Sequence, residues 1–168
     1  MALKTGKEYI ESVRGLSTQV YLLGEQVQDV TNHPILRPSL NALAMTYDVT
    51  SDPACEPFGV TKSDITGQRI NRFTSLHRST DSLINKVKLL RLLGQKTGTC
   101  FQRCVGWDAL NALCSVTYEV DQAHSTNYYA RFTEYLKYVQ EHDLVCNGAM
   151  TDAKGDRGKR PGEQADPD

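Results

Sequence analysis

Ser79-Thr80-Asp81-Ser82-Leu83-Ile84-Asn85-Lys86-Val87-Lys88-Leu89-Leu90-Arg91-Leu92-Leu93 is the stretch whose reading decides the fold class. Ser79-Thr80-Asp81 offers side-chain oxygens to cap a helix start. Leu83, Val87, Leu90 and Leu93 or Gly94 then recur at helical spacing and form one apolar stripe. Such a helix needs partners, and the flanking sequence supplies them. Upstream, residues 7–14 carry apolar positions at helical spacing until Gly15 ends them. His33-Pro34 marks a turn and a helix start, with Pro34 near the first position, and the helix continues through Leu40, Leu43, Ala44 and Tyr47. Downstream, a helix runs from Trp107 through Leu110, Leu113, Val116, Thr117 and Val120. Another spans residues 128–141, with Phe132, Tyr135, Leu136 and Val139 on one side. Two β-prone runs around Gly24 read as a short hairpin, and residues 52–67 read as a loop rich in Pro, Gly and Asp. The expected architecture is mainly α, with residues 1–143 forming a helical unit that carries small β-hairpins. From Leu144 the helical stripe stops, and residues 158–168 are polar and rich in Pro and Gly, a composition that does not fold by itself.

The 168 residues suffice for one domain, with or without the start of a second. At 39% hydrophobic and 23% charged, the composition is that of an ordinary soluble globular protein. A net charge of -1 gives no general attraction to nucleic acid or an anionic membrane. No window approaches the ~18 apolar residues of a membrane span, and the first seven residues lack the apolar core of a signal peptide. The cytoplasm is the expected location. Five cysteines at irregular spacing, an odd number, argue against a disulfide framework, so reduced thiols are expected. Cys114 sits in an apolar run and reads as a small core residue, and Cys55 lies in the loop with no assigned role.

Three constellations could carry chemistry. Cys100 and Cys104 stand four apart in Cys100-Phe101-Gln102-Arg103-Cys104. On a helix they would share a face, and two thiolates on one face can hold one soft metal centre. Arg103 could favour their thiolate forms by charge attraction. The other reading is two thiols packed in a core. A cluster or zinc site usually takes four protein ligands, so further ligands would have to come from elsewhere. Gln102, pointing away from the cysteine face, could hydrogen-bond a carbonyl or hydroxyl without adding charge, or could be a solvated surface residue. In Met150 to Arg157, backbone donors around Gly148 and Gly155 together with Lys154 and Arg157 could hold a phosphate or a flavin edge, or could form a solvated turn. His33 and His77 are isolated and read as structural or as proton shuttles. Lys86, Lys88 and Arg91 read as a solvated helix face, and Tyr128, Tyr129 and Tyr135 as core or interface.

Several runs together resemble one family. They include Glu8-Tyr9-Ile10-Glu11-Ser12, His33-Pro34 with Arg37-Pro38-Ser39, Ile70-Asn71-Arg72-Phe73 and Leu92-Leu93-Gly94-Gln95-Lys96-Thr97. The strongest are Cys100-Phe101-Gln102-Arg103-Cys104-Val105-Gly106, Phe132-Thr133-Glu134-Tyr135-Leu136-Lys137-Tyr138, and Gly148-Ala149-Met150-Thr151-Asp152 with Lys154-Gly155-Asp156-Arg157. From about Lys7 to Asp168 the chain resembles the N-terminal third of the 4-hydroxybutyryl-CoA dehydratase/vinylacetyl-CoA isomerase branch of the 4-hydroxyphenylacetate 3-hydroxylase flavoproteins. The resemblance implies the helical N-terminal domain of an acyl-CoA dehydrogenase-like fold, with residues 144–168 beginning a middle β-domain. It implies homotetramers, an acyl-CoA substrate, FAD and a 4Fe–4S cluster. Cys100 and Cys104 match two of the four cluster ligands, the others being a His and a Cys far downstream. Gln102 matches a glutamine near the substrate and is the candidate catalytic residue. Ala149, Met150, Thr151, Lys154, Gly155, Asp156 and Arg157 match a segment that contacts FAD.

The implied reaction is a radical dehydration of 4-hydroxybutyryl-CoA to crotonyl-CoA, with isomerisation of vinylacetyl-CoA as a related activity. With half the cluster ligands absent, this chain is expected to be inactive alone, as a fragment, a split gene product or a truncated remnant. Two other readings stand beside it. One is a two-component flavin-dependent aromatic hydroxylase, against which the cysteine pair argues. The other is a non-catalytic remnant or helical module that associates with full-length subunits.

Overall fold

The computed structural model describes residues 3–148, 155–156 and 158–165. Six helices and two small antiparallel hairpins make up the described chain. Helix α1 (Gly6–Arg14) opens on a reciprocal cap: the Glu8 amide donates to Thr5 Oγ1 at 3.2 Å, and the Thr5 amide donates to Glu8 Oε2 at 2.7 Å. Its partner is α2 (Arg37–Asp48). Tyr9 stacks on Tyr47 with ring centroids 4.9 Å apart, and Asp48 accepts the Gly6 amide at 2.7 Å. Between them lies the hairpin of β1 (Val20–Leu22) and β2 (Glu25–Val27), paired Val20 to Val27 and Leu22 to Glu25. Its two-residue turn holds Leu23 at φ 53° and Gly24 at φ 86°, the left-handed pair that matches strand twist.

The interval 52–67, expected to be loop, instead contains a one-turn helix α3 (Glu56–Gly59) and strand β3 (Val60–Lys62). Strand β3 pairs with β4 (Arg69–Asn71). These elements are too short to announce themselves in composition, and Arg72 fixes them from outside. Its Nε donates to the Phe58 carbonyl at 2.5 Å, and Nη2 donates to the Val60 carbonyl at 2.7 Å.

Helix α4 (Thr80–Thr97) has the expected Ser79 cap and ends at Gly98, whose φ of 61° closes the last turn. It runs through Gly94 without interruption. The buried stripe differs from the one expected. Leu89 and Leu93 are fully buried, whereas Leu83 and Val87 are 49% and 64% exposed. The run Leu89-Leu90-Arg91-Leu92-Leu93 permits more than one apolar face, and tertiary packing selects the one through Leu89 and Leu93. Two other expectations shift. Helix α2 begins at Arg37 with Pro38 in its first turn, and Pro34 lies in the preceding turn, where the His33 carbonyl accepts the Arg37 amide. Tyr135 is half exposed, while Phe132, Leu136 and Val139 are buried as expected.

Helices α5 (Cys104–His124) and α6 (Tyr128–Glu141) form an antiparallel pair. Asp121 joins them, one carboxylate oxygen accepting the Tyr128 amide and the other the Tyr129 amide. The main core gathers Phe73, Leu89, Leu93, Phe101 and Trp107. Phe73 meets Trp107 and Phe101 edge-on at 5.1 and 5.8 Å, and the Trp107 indole N–H donates to the Ser75 carbonyl at 2.7 Å. Leu76, Leu110, Cys114, Phe132 and Leu136 form a second cluster under α5 and α6. Among the described residues no helix is long and apolar enough to cross a membrane.

Two outcomes follow from this packing. Leu93→Ala should lower unfolding stability by about 3 kcal/mol in urea titration, whereas Val87→Ala should change it by less than about 1 kcal/mol. An equal loss at both sites would refute the observed stripe. Hydrogen bonds from Thr31 and Asn32 hold the Asp29 carboxyl down from its ordinary 3.8 to about 2. A depressed carboxyl stabilises the turn above its unfolded value and loses that contribution as pH falls through its folded one. The 29–32 turn should therefore hold at pH 4 and loosen toward pH 2, with the Asp29 carboxyl carbon titrating near 2 by NMR.

Candidate functional site

The loop from Gly98 to Arg103 joins α4 to α5 and presents the cysteine pair. Its side chains alternate. Cys100 is exposed, Phe101 is buried, Gln102 is exposed, Arg103 is fully buried and Cys104 is half-buried. Phe101 and Arg103 are thus two anchors, and the outward residues between them are displayed by a backbone held from inside. The expected shared helical face does not form. Cys100 lies outside any helix, Cys104 is the first residue of α5, and Gln102 between them has φ 59°. A left-handed glutamine costs about 1–2 kcal/mol relative to glycine, and it breaks the helical path that four-residue spacing suggested.

Both thiols are free. Cys100 Sγ accepts the Gln102 amide at 3.4 Å, the kind of N–H to sulfur contact that surrounds thiolate ligands. Cys104 sits where the N-terminal amides of α5 have no side-chain cap. Gln102 borders an open groove of about 200 Å³ with Tyr9, Val13, Leu36, Leu40 and Leu43, an apolar wall with one amide at its edge. A separate cavity of about 190 Å³, lined by Ser63, Asp64, Arg78, Ser82 and Gln140 among others, shares no residue with that groove. Among the described residues, no three His, Cys, Asp or Glu side chains converge as a metal site.

Arg103, a neighbour in sequence that could favour the thiolates by charge attraction, turns its guanidinium into the core instead. Nη1 donates to Thr46 Oγ1 at 3.2 Å, and Nη2 donates to the Leu144 carbonyl at 3.0 Å and to Asp143 Oδ1 at 3.4 Å. The group lies 4.5 Å from the Tyr47 ring centroid and 5.3 Å from that of Phe73. Its Nε is buried with no acceptor among the described residues. Nothing in the sequence marks this role, because an arginine between two cysteines reads as a surface charge. The alternation with Phe101 is the only trace of it.

The chain leaving α6 passes directly over the start of α5. A Cβ on Gly106 would collide with the Cys146 carbonyl and the Asn147 amide, so only glycine admits this approach. One turn on, Gly148 lies against the Val105 side chain. The Gly148 amide, read from sequence as a free donor, is taken by Asn147 Oδ1 at 2.8 Å. Of the residues proposed to contact a flavin, Ala149, Met150, Thr151, Lys154 and Arg157 lie outside the described residues. Gly155 and Asp156 are exposed in a turn that Gln164 closes, with the Asp156 amide donating to Gln164 Oε1 at 2.8 Å.

His33 is structural, its Nδ1 accepting the Ile35 amide at 3.3 Å. His77 packs on Trp107 at 4.9 Å with both ring nitrogens buried and without acceptors or donors among the described residues, and burial holds its pKa below the usual value. Lys86, expected on a solvated face, pairs with Asp108 and lies over the Trp107 ring at 5.6 Å.

Glycine is the residue that φ 59° favours. Gln102→Gly should raise the unfolding free energy by about 1 kcal/mol, while removing the only amide bordering the groove. Thermal denaturation decides it, and a lower midpoint would show that the glutamine side chain contributes more than its backbone strain.

The model for the N-terminal region of 4-hydroxyphenylacetate 3-hydroxylase matches residues 5–168. The chain is 57% identical to 4-hydroxybutyryl-CoA dehydratase/vinylacetyl-CoA-Delta-isomerase of Clostridium aminobutyricum, over 99% of this chain and 34% of that protein. It is 27% identical to the oxygenase component of 4-hydroxyphenylacetate 3-monooxygenase from Thermus thermophilus, over 98% of this chain and 33% of that protein. Among solved structures, an oxygen-tolerant archaeal 4-hydroxybutyryl-CoA dehydratase from N. maritimus superposes with a TM-score of 0.88 at 50% identity, over 99% of this chain and 33% of that one. The oxygenase component of 4-hydroxyphenylacetate 3-monooxygenase, complexed with FAD and 4-hydroxyphenylacetate, superposes with a TM-score of 0.70 at 25% identity, over 98% and 33%. The chain therefore spans about a third of the length of the relatives it matches, and it belongs to the 4-hydroxyphenylacetate 3-hydroxylase family as part of that family's N-terminal region.

Proposed function

We propose that the chain is the N-terminal portion of an FAD- and 4Fe–4S-dependent 4-hydroxybutyryl-CoA dehydratase/vinylacetyl-CoA isomerase. The observation that carries this reading is the gap between relatives. Likeness to the dehydratases is 57% in sequence and 0.88 in superposition, against 27% and 0.70 for the aromatic hydroxylases. The cysteine pair points the same way. Both thiols are free, and neither is fully buried. One already receives an amide donor, and the other heads an uncapped 21-residue helix, whose N-terminus favours negative charge. These two residues fit two of the four places of a cluster, and the other two would be filled from outside this chain.

In this reading Cys100 and Cys104 hold iron, and Phe101 and Arg103 keep the loop rigid so that the two thiolates do not have to reorganise. Gln102 donates or accepts a hydrogen bond at the edge of the apolar groove and orients the substrate's hydroxyl or carbonyl without adding charge. The segment from Ala149 to Arg157 contacts the flavin. When bound, flavin and cluster supply one-electron exchange and a Lewis acid for the leaving hydroxyl, and the protein supplies their orientation. The assembly is proposed to be a homotetramer in the cytoplasm, with residues 144–168 opening the β-domain.

The test is direct. The complete protein carrying this chain should contain flavin, iron and acid-labile sulfide and should convert 4-hydroxybutyryl-CoA to crotonyl-CoA. Cys100→Ser and Cys104→Ser should each lower bound iron at least tenfold, on the order of one lost strong ligand, and leave the flavin in place. Wild-type protein without iron that hydroxylates 4-hydroxyphenylacetate with reduced flavin would sink the dehydratase reading and establish the hydroxylase one.

A further inference from the structure

Two stretches of this chain are assigned to cofactors above: the cysteine loop, and the segment that follows Gly148. They lie about fifty residues apart in sequence, and the structure joins the cysteine loop through one side chain to residues 144–148, which lead into the second stretch. Arg103 belongs to the cysteine loop and is the residue immediately before Cys104. Its Nη2 donates both to Asp143 and to the Leu144 carbonyl, the point at which the chain leaves α6. Beyond it, the Cys146–Asn147 backbone passes over Gly106, and Gly148 rests on Val105, both within the first turn of α5. The exit segment is thus fastened twice to the same turn, from inside by a guanidinium and from outside by close backbone contact.

We propose that Arg103 is a positioning residue that holds the cysteine loop and the exit segment, residues 144–148, as one rigid unit, so that loss of the link disturbs both cofactors. The proposal rests on the assignment of those stretches under the proposed function, but the mechanical link can be measured without it. Three acceptors on two distant parts of the chain, Thr46 on α2 and the adjacent Asp143 and Leu144 beyond α6, are satisfied by one planar group. Lysine, with one ammonium, does not span them. The aromatic rings of Tyr47 and Phe73 pack against the same guanidinium, at 4.5 and 5.3 Å from their centroids.

The experiment uses the complete protein and three variants. Arg103→Met with Asp143→Asn removes the link without leaving a buried charge unpaired. Gly106→Ala displaces the exit segment from the opposite side. Ile70→Ala, in β4, serves as a control for a general loss of stability, since Ile70 is buried and belongs to neither stretch. Amide exchange by mass spectrometry is read for residues 98–103 and 144–148, alongside far-ultraviolet circular dichroism and flavin and iron content. The expected result is exchange at least about tenfold faster in both segments together for the first two variants. Helix content should be retained, and flavin and iron should fall in parallel. The control should move neither segment selectively. Acceleration in only one segment, in neither, or equally in the control would overturn the proposal. Wild-type protein devoid of iron and flavin would instead defeat the functional assignment, and the exchange data would then judge the link on their own.

Discussion

A guanidinium in an apolar core must find acceptors, and those that Arg103 finds come from different parts of the chain. Thr46 lies on α2, whereas Asp143 and Leu144 lie where the chain turns out of α6. The bonds to Thr46 and Leu144 are ordinary in length and the contact with Asp143 is longer, at 3.4 Å, but together they fix α2, the head of α5 and the α6 exit in one arrangement. Asp143 extends the set. Its second carboxylate oxygen accepts the Lys4 amide at 3.0 Å, and its carbonyl accepts the Tyr47 hydroxyl at 3.0 Å. The segment leading into α1 is thereby tied to the same centre. Burying the pair is not itself strongly stabilising, because desolvation offsets much of the attraction. Removing one partner alone is severe, about 3–5 kcal/mol, because the other charge is then buried and unmatched. The pair specifies arrangement more than it adds stability.

That arrangement determines what the loop can display. With Phe101 locked against Phe73 and Arg103 locked against Asp143, the residues between and beside them have little freedom to turn inward. Cys100 and Gln102 therefore face out, and the backbone absorbs the geometry at Gln102 through its positive φ. Strain held by surrounding packing is characteristic of sites where side-chain direction matters. The neighbouring glycine at 106 has the same origin: the space a side chain would need is already filled by another part of the backbone.

The sequence was legible where local signals and burial agree. The Ser79 cap, the hairpin around Gly24 and the burial of Phe132, Leu136 and Val139 each have a short-range cause, and each appears as read. It misled where two local patterns compete. The leucine-rich run of α4 supports several faces, and only contact with Phe101 and Trp107 chooses among them. Four-residue spacing of cysteines suggested a helix face, but Gln102 is left-handed for reasons that lie in the packing of its neighbours. Arg103 and Asp143 are forty residues apart, and Asn111, whose side chain bridges His77 and Ser75, is equally silent in one dimension. No periodicity records a buried polar contact at that range.

The degree of likeness favours one of the two enzymatic readings, but both branches share this helical region, so what the chain's residues do has to be argued from the site. The site's distinguishing feature is a pair of free thiols on a rigid, partly solvent-facing loop. An aromatic hydroxylase that handles reduced flavin and oxygen gains nothing from such thiols, and they would be exposed to the oxidants that chemistry generates. In the proposed dehydratase the same thiols would be held as ligands instead of being free to oxidise, and the rigidity of the loop would be useful, since two fixed ligands lose little freedom on binding a metal. Phe101 and Arg103 suit that task. They hold the loop from inside while leaving its outward face open.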